Sequence, residues 1–276
     1  MRNFSNTYIF VFATVMVFIV AMILSFAAMQ LQPLQKKNER TEKMQNILSA
    51  ANIDITEGDI EQLYNKYIVD SYVISTTGDK IEGISAFSVD MKKELFKMDQ
   101  INNLQTKLAE KVESPFGKFM AQYVDMKSVD RTSVTTEIET LEEKRELPVY
   151  EIEKENGNRY FVFPLRGKGL WGPIWGYVSL SEDFNEIYGA DFDHKSETPG
   201  LGAEIKETWF EGQFKGKLIY RDNEYVAVNV VKGGADPEDK YAVDGVSGGT
   251  ITSEGLEDMI REGLRDYQQF FELKRK

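Results

Sequence analysis

Residues 149–163 read VYEIEKENGNRYFVF, and this stretch decides the architecture. Val149 to Glu153 and Arg159 to Phe163 are rich in β-branched and aromatic residues. They flank Asn156-Gly157, a pair that supplies the positive φ angles of a tight type I′ hairpin turn. Downstream, Ile174 to Leu180 and Tyr225 to Val231 read as further strands. One helix start is marked at Thr198-Pro199, with threonine as N-cap and proline at the first helical position, and another after Gly248-Gly249-Thr250. In the last helix Leu256, Met259, Ile260, Leu264, Tyr267 and Phe271 fall on one stripe. The reading is α+β, a mostly antiparallel sheet with helices packed against it.

Upstream the chain is more mixed. Ser71 to Ser75 and Ile84 to Ser88 resemble short strands around a Thr-Gly-Asp turn, and Thr56-Glu57-Gly58-Asp59 has capping-box spacing ahead of a helix facing inward with Ile60, Leu63, Tyr64 and Tyr67. Ile101, Leu104, Leu108 and Val112 mark another amphipathic helix. Lys127 to Glu146 is strongly charged without a sustained period, and reads as a boundary or an exposed excursion. Gln35 to Ile53, with Met44, Ile47 and Leu48 at helical spacing, reads as a juxtamembrane stalk.

Tyr8 to Ala28 carries no charge, and as a helix of about 21 residues it spans about 30 Å, one hydrocarbon core. A single transmembrane anchor is the first reading. The alternative is a signal peptide, with Arg2 as its positive flank and Ser25-Phe26-Ala27 as a cleavage-like site, but the run exceeds the usual h-region of about 7–15 residues. Three segments result: an anchor over 1–30, a juxtamembrane helical and mixed region over 31–144, and a domain over 145–276. Lys36, Lys37, Arg40 and Lys43 follow the anchor, so the positive-inside count alone places the C-terminal part in the cytoplasm.

Composition narrows the function. The 276 residues carry 33 Lys+Arg against 45 Asp+Glu, a net charge of −12, so no basic surface suits a nucleic acid. With no cysteine there is no thiolate nucleophile, disulfide or iron–sulfur ligand, and one histidine, His194, argues against a catalytic triad or a multi-histidine metal site. No cysteine- or histidine-based nucleophile, general base or metal site is indicated.

The chemistry-bearing candidates are glycine-rich. Asp244-Gly-Val-Ser-Gly-Gly-Thr-Ile-Thr-Ser253 runs directly into a helix, where orphan N–H groups and about half a positive charge favour an anion. Ser247, Thr250 and Thr252 would place hydroxyls beside it, with Gly248 and Gly249 turning amides inward. A capped helix start is the commoner account of a bare Ser-Gly-Gly-Thr, and spacing alone does not make it functional. Glu197-Thr-Pro-Gly-Leu-Gly202 also puts two glycines at a helix start, and reads alternatively as close packing on a sheet. Gly169-Leu-Trp-Gly-Pro-Ile-Trp-Gly176 alternates glycine with large apolar groups, which could offer flat surface to a planar ligand, although two tryptophans near a strand are more often core.

Taken in order, the anchor, the Gly-Leu-Trp-Gly loop, Glu-Thr-Pro-Gly-Leu-Gly and Asp-Gly-Val-Ser-Gly-Gly-Thr resemble the C subunit of the sodium-translocating NADH:quinone reductase, a family with FMN joined through its phosphate to a threonine. The motif there is Asp, two variable residues, Ser or Thr, Gly, Ala, Thr. Matched position by position it gives Asp244, Ser247, Gly248 and the attachment residue Thr250, with Gly249 departing from the usual alanine. The resemblance covers the anchor and roughly residues 145–276. It implies FMN esterified to Thr250, with Thr252 beside it. Glu197, Thr198, Gly200, Leu201 and Gly202 would lie along the isoalloxazine or ribityl chain, and Leu170 and Trp171 would form an apolar wall.

The resemblance further implies an electron-transfer protein, inactive alone, working with other membrane subunits of the same complex. Electrons derived from NADH pass through it toward quinone while sodium is exported. A separate flavin transferase would attach the cofactor. The implied topology is a single pass through the cytoplasmic membrane with the domain on the extracytoplasmic side, against the charge count. Three alternatives stand beside this: the flavin subunit of an Rnf-type ferredoxin-linked complex, a membrane-anchored sensor or scaffold without cofactor, and a protein that binds FMN without a covalent bond. If the flavin reading holds, the Thr250 loop, Glu197–Gly202 and Trp171 converge on one cleft.

Overall fold

The computed structural model describes residues 5–113 and 126–275 and, within them, the side chains outside 107–131, so Arg2, Leu108 and Val112 are not among the side chains described. The chain divides into two compact units, Met1–Gln45 and Asn46–Lys276. The first consists of the greater part of helix α1 (Asn6–Ala50), whose apolar run is long enough to cross a membrane and is unburied from Tyr8 to Leu34.

The second unit is built on a six-stranded antiparallel sheet in the order β2-β1-β3-β4-β5-β6, formed by β1 (Ile68–Ile74), β2 (Lys80–Ile81), β3 (Leu147–Glu153), β4 (Arg159–Lys168), β5 (Pro173–Ser181) and β6 (Ile187–His194). From β3 to β6 it is a meander of hairpins. Because β1 lies between β2 and β3, the chain leaving β2 crosses over β1 to reach β3. That crossover carries α3 (Met91–Glu113) and α4 (Met126–Glu143); ahead of β1 stands α2 (Ile60–Tyr67).

The sheet is buried on both faces, as the period of two along β4 requires. Phe161, Phe163 and Leu165 point one way, into a core completed by Leu256, Met259, Ile260 and Leu264 of α6 (Thr250–Arg265) and Phe270 and Phe271 of α7 (Gln268–Lys274). Tyr160 and Val162 point the other way, toward Ile47, Leu48, Ala50 and Ala51. The last turn of α1 is therefore core rather than stalk. Smaller elements complete this unit: a 3-10 turn at Gly202–Lys206, α5 (Thr208–Glu211), β7 (Tyr220–Arg221), β8 (Glu224–Tyr225), and the parallel pair β9 (Asn229–Val231) and β10 (Ala242–Asp244).

Several local expectations are corrected. The β3–β4 connection is not a two-residue I′ turn: Gly157 N–H donates to Lys154 O at 2.8 Å, and of Asn156 and Gly157 only Gly157 has positive φ, at 80°. This is a type I turn closed by one left-handed glycine. Asp59, not Thr56, caps α2, accepting from Glu61 and Gln62 N–H, while Thr56 bonds Asp54. Residues 84–88 form a 3-10 turn at Ala86–Ser88 instead of a strand. Tyr225 to Val231 splits into β8 and β9 because Ala227 adopts φ 56°, outside any strand.

Most of Lys127 to Glu146 is the helix α4, and Arg145 just beyond it is buried. Its guanidinium bonds Glu94 at 3.2 Å and pairs with Asp266, tying the crossover to the end of α6.

Candidate functional site

Three chain segments meet at the N-terminus of α6. Its N-cap is Gly249, which provides no side-chain cap, so Thr250, Ile251 and Thr252 occupy the first turn, where backbone N–H groups lack intrahelical partners. Gly249 N–H is not free for a ligand, since it donates to Val246 O at 3.0 Å. The Ser253 hydroxyl, buried, accepts from Val246 N–H at 3.0 Å and folds the preceding loop back onto the helix.

The second segment is the β4–β5 connection. Gly169 N–H closes on Gly172 O at 2.8 Å, leaving Leu170 and Trp171 on the surface, 47% and 66% exposed. The third follows β6. Here Thr198-Pro199 opens a turn rather than an α-helix: Leu201 N–H donates to Thr198 O at 3.1 Å with Gly200 at φ 75°, as a type II turn demands, and the 3-10 turn follows.

Glu197 joins the three. Its carboxylate is buried, accepting from the Thr252 hydroxyl at 2.6 Å and from Trp171 N–H at 2.8 Å, while its own N–H donates to His194 Nδ1 at 3.2 Å. The fit leaves room only for glycine on either side. A β-carbon on Gly169 would sit 2.6 Å from Glu197 Oε1, and one on Gly202 2.7 Å from Oε2.

Around this junction Leu170, Trp171, Glu197, Thr198, Leu201, Gly202, Gly248, Gly249, Thr250 and Thr252 line one cleft of about 200 Å³, together with Ile251, which the motif reading did not single out. The three glycine-rich segments thus converge. Gly200 stands just outside the cleft, its N–H donating to Glu204 Oε1 at 3.0 Å. A second, larger cleft of about 560 Å³ lies on the other side of Thr250, and holds Asp244 and Ser247. Asp244 Oδ1 accepts from Ala235 N–H at 2.6 Å, so the acid braces the loop before β10. Trp209 of α5, Lys232 in the turn after β9 and Glu254 of α6 also line this cleft; they come from three separate elements and leave no local signal in sequence.

The two threonines differ in a way that matters chemically. Thr252 is 1% exposed and its hydroxyl is engaged. Thr250 faces both clefts, and its hydroxyl has no hydrogen-bond partner among the described residues. An available hydroxyl, a helix N-terminus with unpaired amides, and an apolar rim of Leu170, Trp171, Leu201 and Ile251 together suit a planar group bearing a phosphate. Among the described residues no cluster of His, Asp and Glu is arranged to hold a metal.

At the end of α5, Glu211 accepts from Phe192 N–H at 2.7 Å. Burial, reinforced by Asp191, Glu207 and Asp193, pushes its carboxyl up to about 8, against the pull of that bond.

Residues 169–265 match the family described as FMN-binding domain. The C subunit of the Na(+)-translocating NADH-quinone reductase of Vibrio vulnificus is 29% identical over 239 residues, covering 87% of this chain and 83% of that one. The protein of the same name from Pseudomonas aeruginosa is 27% identical over 259 residues, covering 93% and 90%. Among solved structures, the corresponding C subunit from Parabacteroides distasonis is 34% identical with a TM-score of 0.65, covering 87% of this chain and 96% of that one. Shewanella oneidensis NqrC, 24% identical with a TM-score of 0.63, shares the fold.

Proposed function

This chain belongs to the C-subunit family of the Na(+)-translocating NADH-quinone reductase, and from that premise we propose that its FMN is esterified through the phosphate to Thr250. The chain is an electron-transfer flavoprotein subunit of that reductase. The observation that carries the Thr250 assignment is the contrast within one helical turn, an available hydroxyl at Thr250 against a buried and engaged one at Thr252.

The residues present fit the group. The unpaired amides of Thr250, Ile251 and Thr252 and the α6 dipole favour the phosphodiester charge. The exposed faces of Leu170, Trp171, Leu201 and Ile251 would offer apolar contact to the flavin, and Thr198 and Gly202, which line the same cleft, would border its chain. The cofactor supplies one- and two-electron chemistry; the protein holds it, orients it and limits water around it. The ester prevents loss of the flavin between turnovers.

In this reading electrons derived from NADH arrive from other subunits and leave toward quinone, and a separate flavin transferase installs the cofactor on the 145–276 portion. The apolar run of α1 anchors the chain. We place the flavin-bearing domain on the extracytoplasmic side, following the family resemblance and against the basic residues that flank the anchor. The assignment is tested by intact mass and in-gel fluorescence of denatured protein, co-expressed with an active transferase. Wild type should gain one FMN less one water, and Thr250→Ala should carry none. An unmodified wild type, beside a control substrate that is modified, overturns it.

A further inference from the structure

We propose that Glu197 is a positioning residue for the attachment threonine, acting through the Thr252 hydroxyl and the Trp171 backbone amide; this rests on the assignment of Thr250 as the attachment residue. The reason begins with what α6 lacks. A helix that starts at a glycine N-cap has no side chain to satisfy its first-turn donors or to stop the turn from fraying, and Gly249 is such a cap. The constraint comes instead from across the fold. Glu197 Oε2 accepts from the Thr252 hydroxyl at 2.6 Å, which fixes the rotamer of a residue two positions beyond Thr250 in the same turn.

With Thr252 turned into the protein, Thr250 is turned out toward the two clefts. The other carboxylate oxygen accepts from Trp171 N–H at 2.8 Å, so the loop that bears the exposed indole is set by the same group. Glu197 is 4% exposed, and no lysine or arginine pairs with it among the described residues. A carboxylate is kept in such a place only if its bonds are needed, because burial without a counter-charge is costly.

His194 holds the arrangement from behind. Its Nδ1 accepts Glu197 N–H at 3.2 Å, which leaves the ring proton on Nε2, a buried atom without a partner among the described residues. One unpaired ring nitrogen is thus tolerated where the other orients Glu197. The absence of side chains at Gly169 and Gly202 is what lets the carboxylate enter between the loop and the helix.

The test uses the full-length chain co-expressed with an active flavin transferase, following incorporation at Thr250 by intact mass over time. Glu197→Ala and Thr252→Val should each slow incorporation about ten- to hundredfold, the scale expected when a reacting group is misplaced by about 1 Å. Glu197→Gln should restore it to within about threefold, since the amide can accept from Trp171 N–H and donate to Thr252 Oγ1. The double variant Glu197→Ala/Thr252→Val should be no slower than the worse single one, because both break the same link.

Amide exchange by mass spectrometry should quicken over 169–172 and 248–254 in Glu197→Ala and remain unchanged in β3 to β5. Incorporation into Glu197→Ala at the wild-type rate, or effects of the two variants that multiply, overturns the proposal while leaving the Thr250 assignment intact. Should Glu197→Ala fail to fold, Thr252→Val and Glu197→Gln decide it: a Thr252→Val protein that loads as fast as wild type overturns the proposal. A wild type that takes no flavin overturns both readings together.

Discussion

Gly255 lies within α6, one turn beyond the attachment residue, and its replacement by alanine reverses the usual rule for glycine in helices. In an ordinary helix interior the change gains roughly 0.5–1 kcal/mol. Here the new β-carbon would fall inside contact distance of the Lys168 carbonyl oxygen, with the carbonyl carbon at 3.2 Å and Gly169 Cα at 3.6 Å. These are backbone atoms of β4 and its following loop, and they cannot rotate away. The helix must lift by about 1 Å to restore ordinary contact.

Leu256, Met259, Ile260 and Leu264 are buried on that face, and their burial is worth roughly 2 kcal/mol each. A gap of that size forfeits between a quarter and a half of the contact energy. The loss of about 2–4 kcal/mol, less about 1 kcal/mol of helix propensity, leaves Gly255→Ala destabilised by about 1–3 kcal/mol. Urea titration of the full-length chain in detergent, followed by near-ultraviolet circular dichroism, measures it. Gly263→Ala is the control, because the atom its β-carbon would press on is a side-chain methyl rather than backbone, Leu165 Cδ2 at 2.8 Å, and it should stay within about 1 kcal/mol of wild type. A Gly255→Ala midpoint equal to or above wild type would refute the reasoning.

Arg145→Met should cost about 2–4 kcal/mol at neutral pH, because buried Glu94 is then left with Lys97 as its remaining ion-pair partner and the partly buried Asp266 loses its cation. Burial already holds the Asp266 carboxyl above its usual range against the pull of Arg145, so the deficit should shrink near pH 4 as Asp266 takes up its proton; equal losses at both pH values would count against this. Glu211 keeps its proton in the fold up to about pH 8 and loses it in the unfolded chain near 4.5, so it binds more protons folded than unfolded across that window and wild-type stability declines as pH rises through it. Glu211→Gln can still accept from Phe192 N–H and should remove that decline. Relative to wild type it should gain on the order of 1–2 kcal/mol between pH 5 and pH 9, and a difference that stays flat with pH would contradict it.

The parts of the fold legible in sequence are those whose cause is local. Alternation in 149–153 and 159–163 and the stripe from Leu256 to Phe271 both specify a buried face without reference to the rest of the chain, and both faces are buried as read. The misreadings have several causes, most of them in the detailed geometry of turns and caps. Ala227 breaks an apparently continuous strand by adopting positive φ where the chain turns from β8 to β9. Thr198-Pro199 carries a good helix-start signature, yet Thr198 O accepts from both Leu201 and Ala203 and winds the chain into a turn. The charged segment after Lys127 forms a helix although it lacks a clean apolar stripe.

The candidate site divides the same way. Thr250, Glu197 and Trp171 were visible because each stands in a short glycine-rich run, whereas Trp209, Lys232 and Glu254 reach the larger cleft from three separate elements, α5, the turn after β9 and α6. What sequence did not reveal was that Glu197 faces inward, and that Gly249 N–H is already engaged by Val246.

The crossover between β2 and β3 has a consequence for how the chain acquires its fold. The β3–β4 hairpin closes over Lys154 to Asn158, but β1 reaches β3 from far away, as the Tyr72 hydroxyl bonds Glu151 across 79 residues. By the logarithmic growth of loop entropy, the second closure costs about 2 kcal/mol more than the first. The meander β3 to β6 is therefore the low contact-order part of the molecule, and β1 the strand recruited at greatest entropic expense. Until it docks, β3 presents an open edge, so the nascent chain is most exposed to association with its neighbours while the crossover is still unfolded.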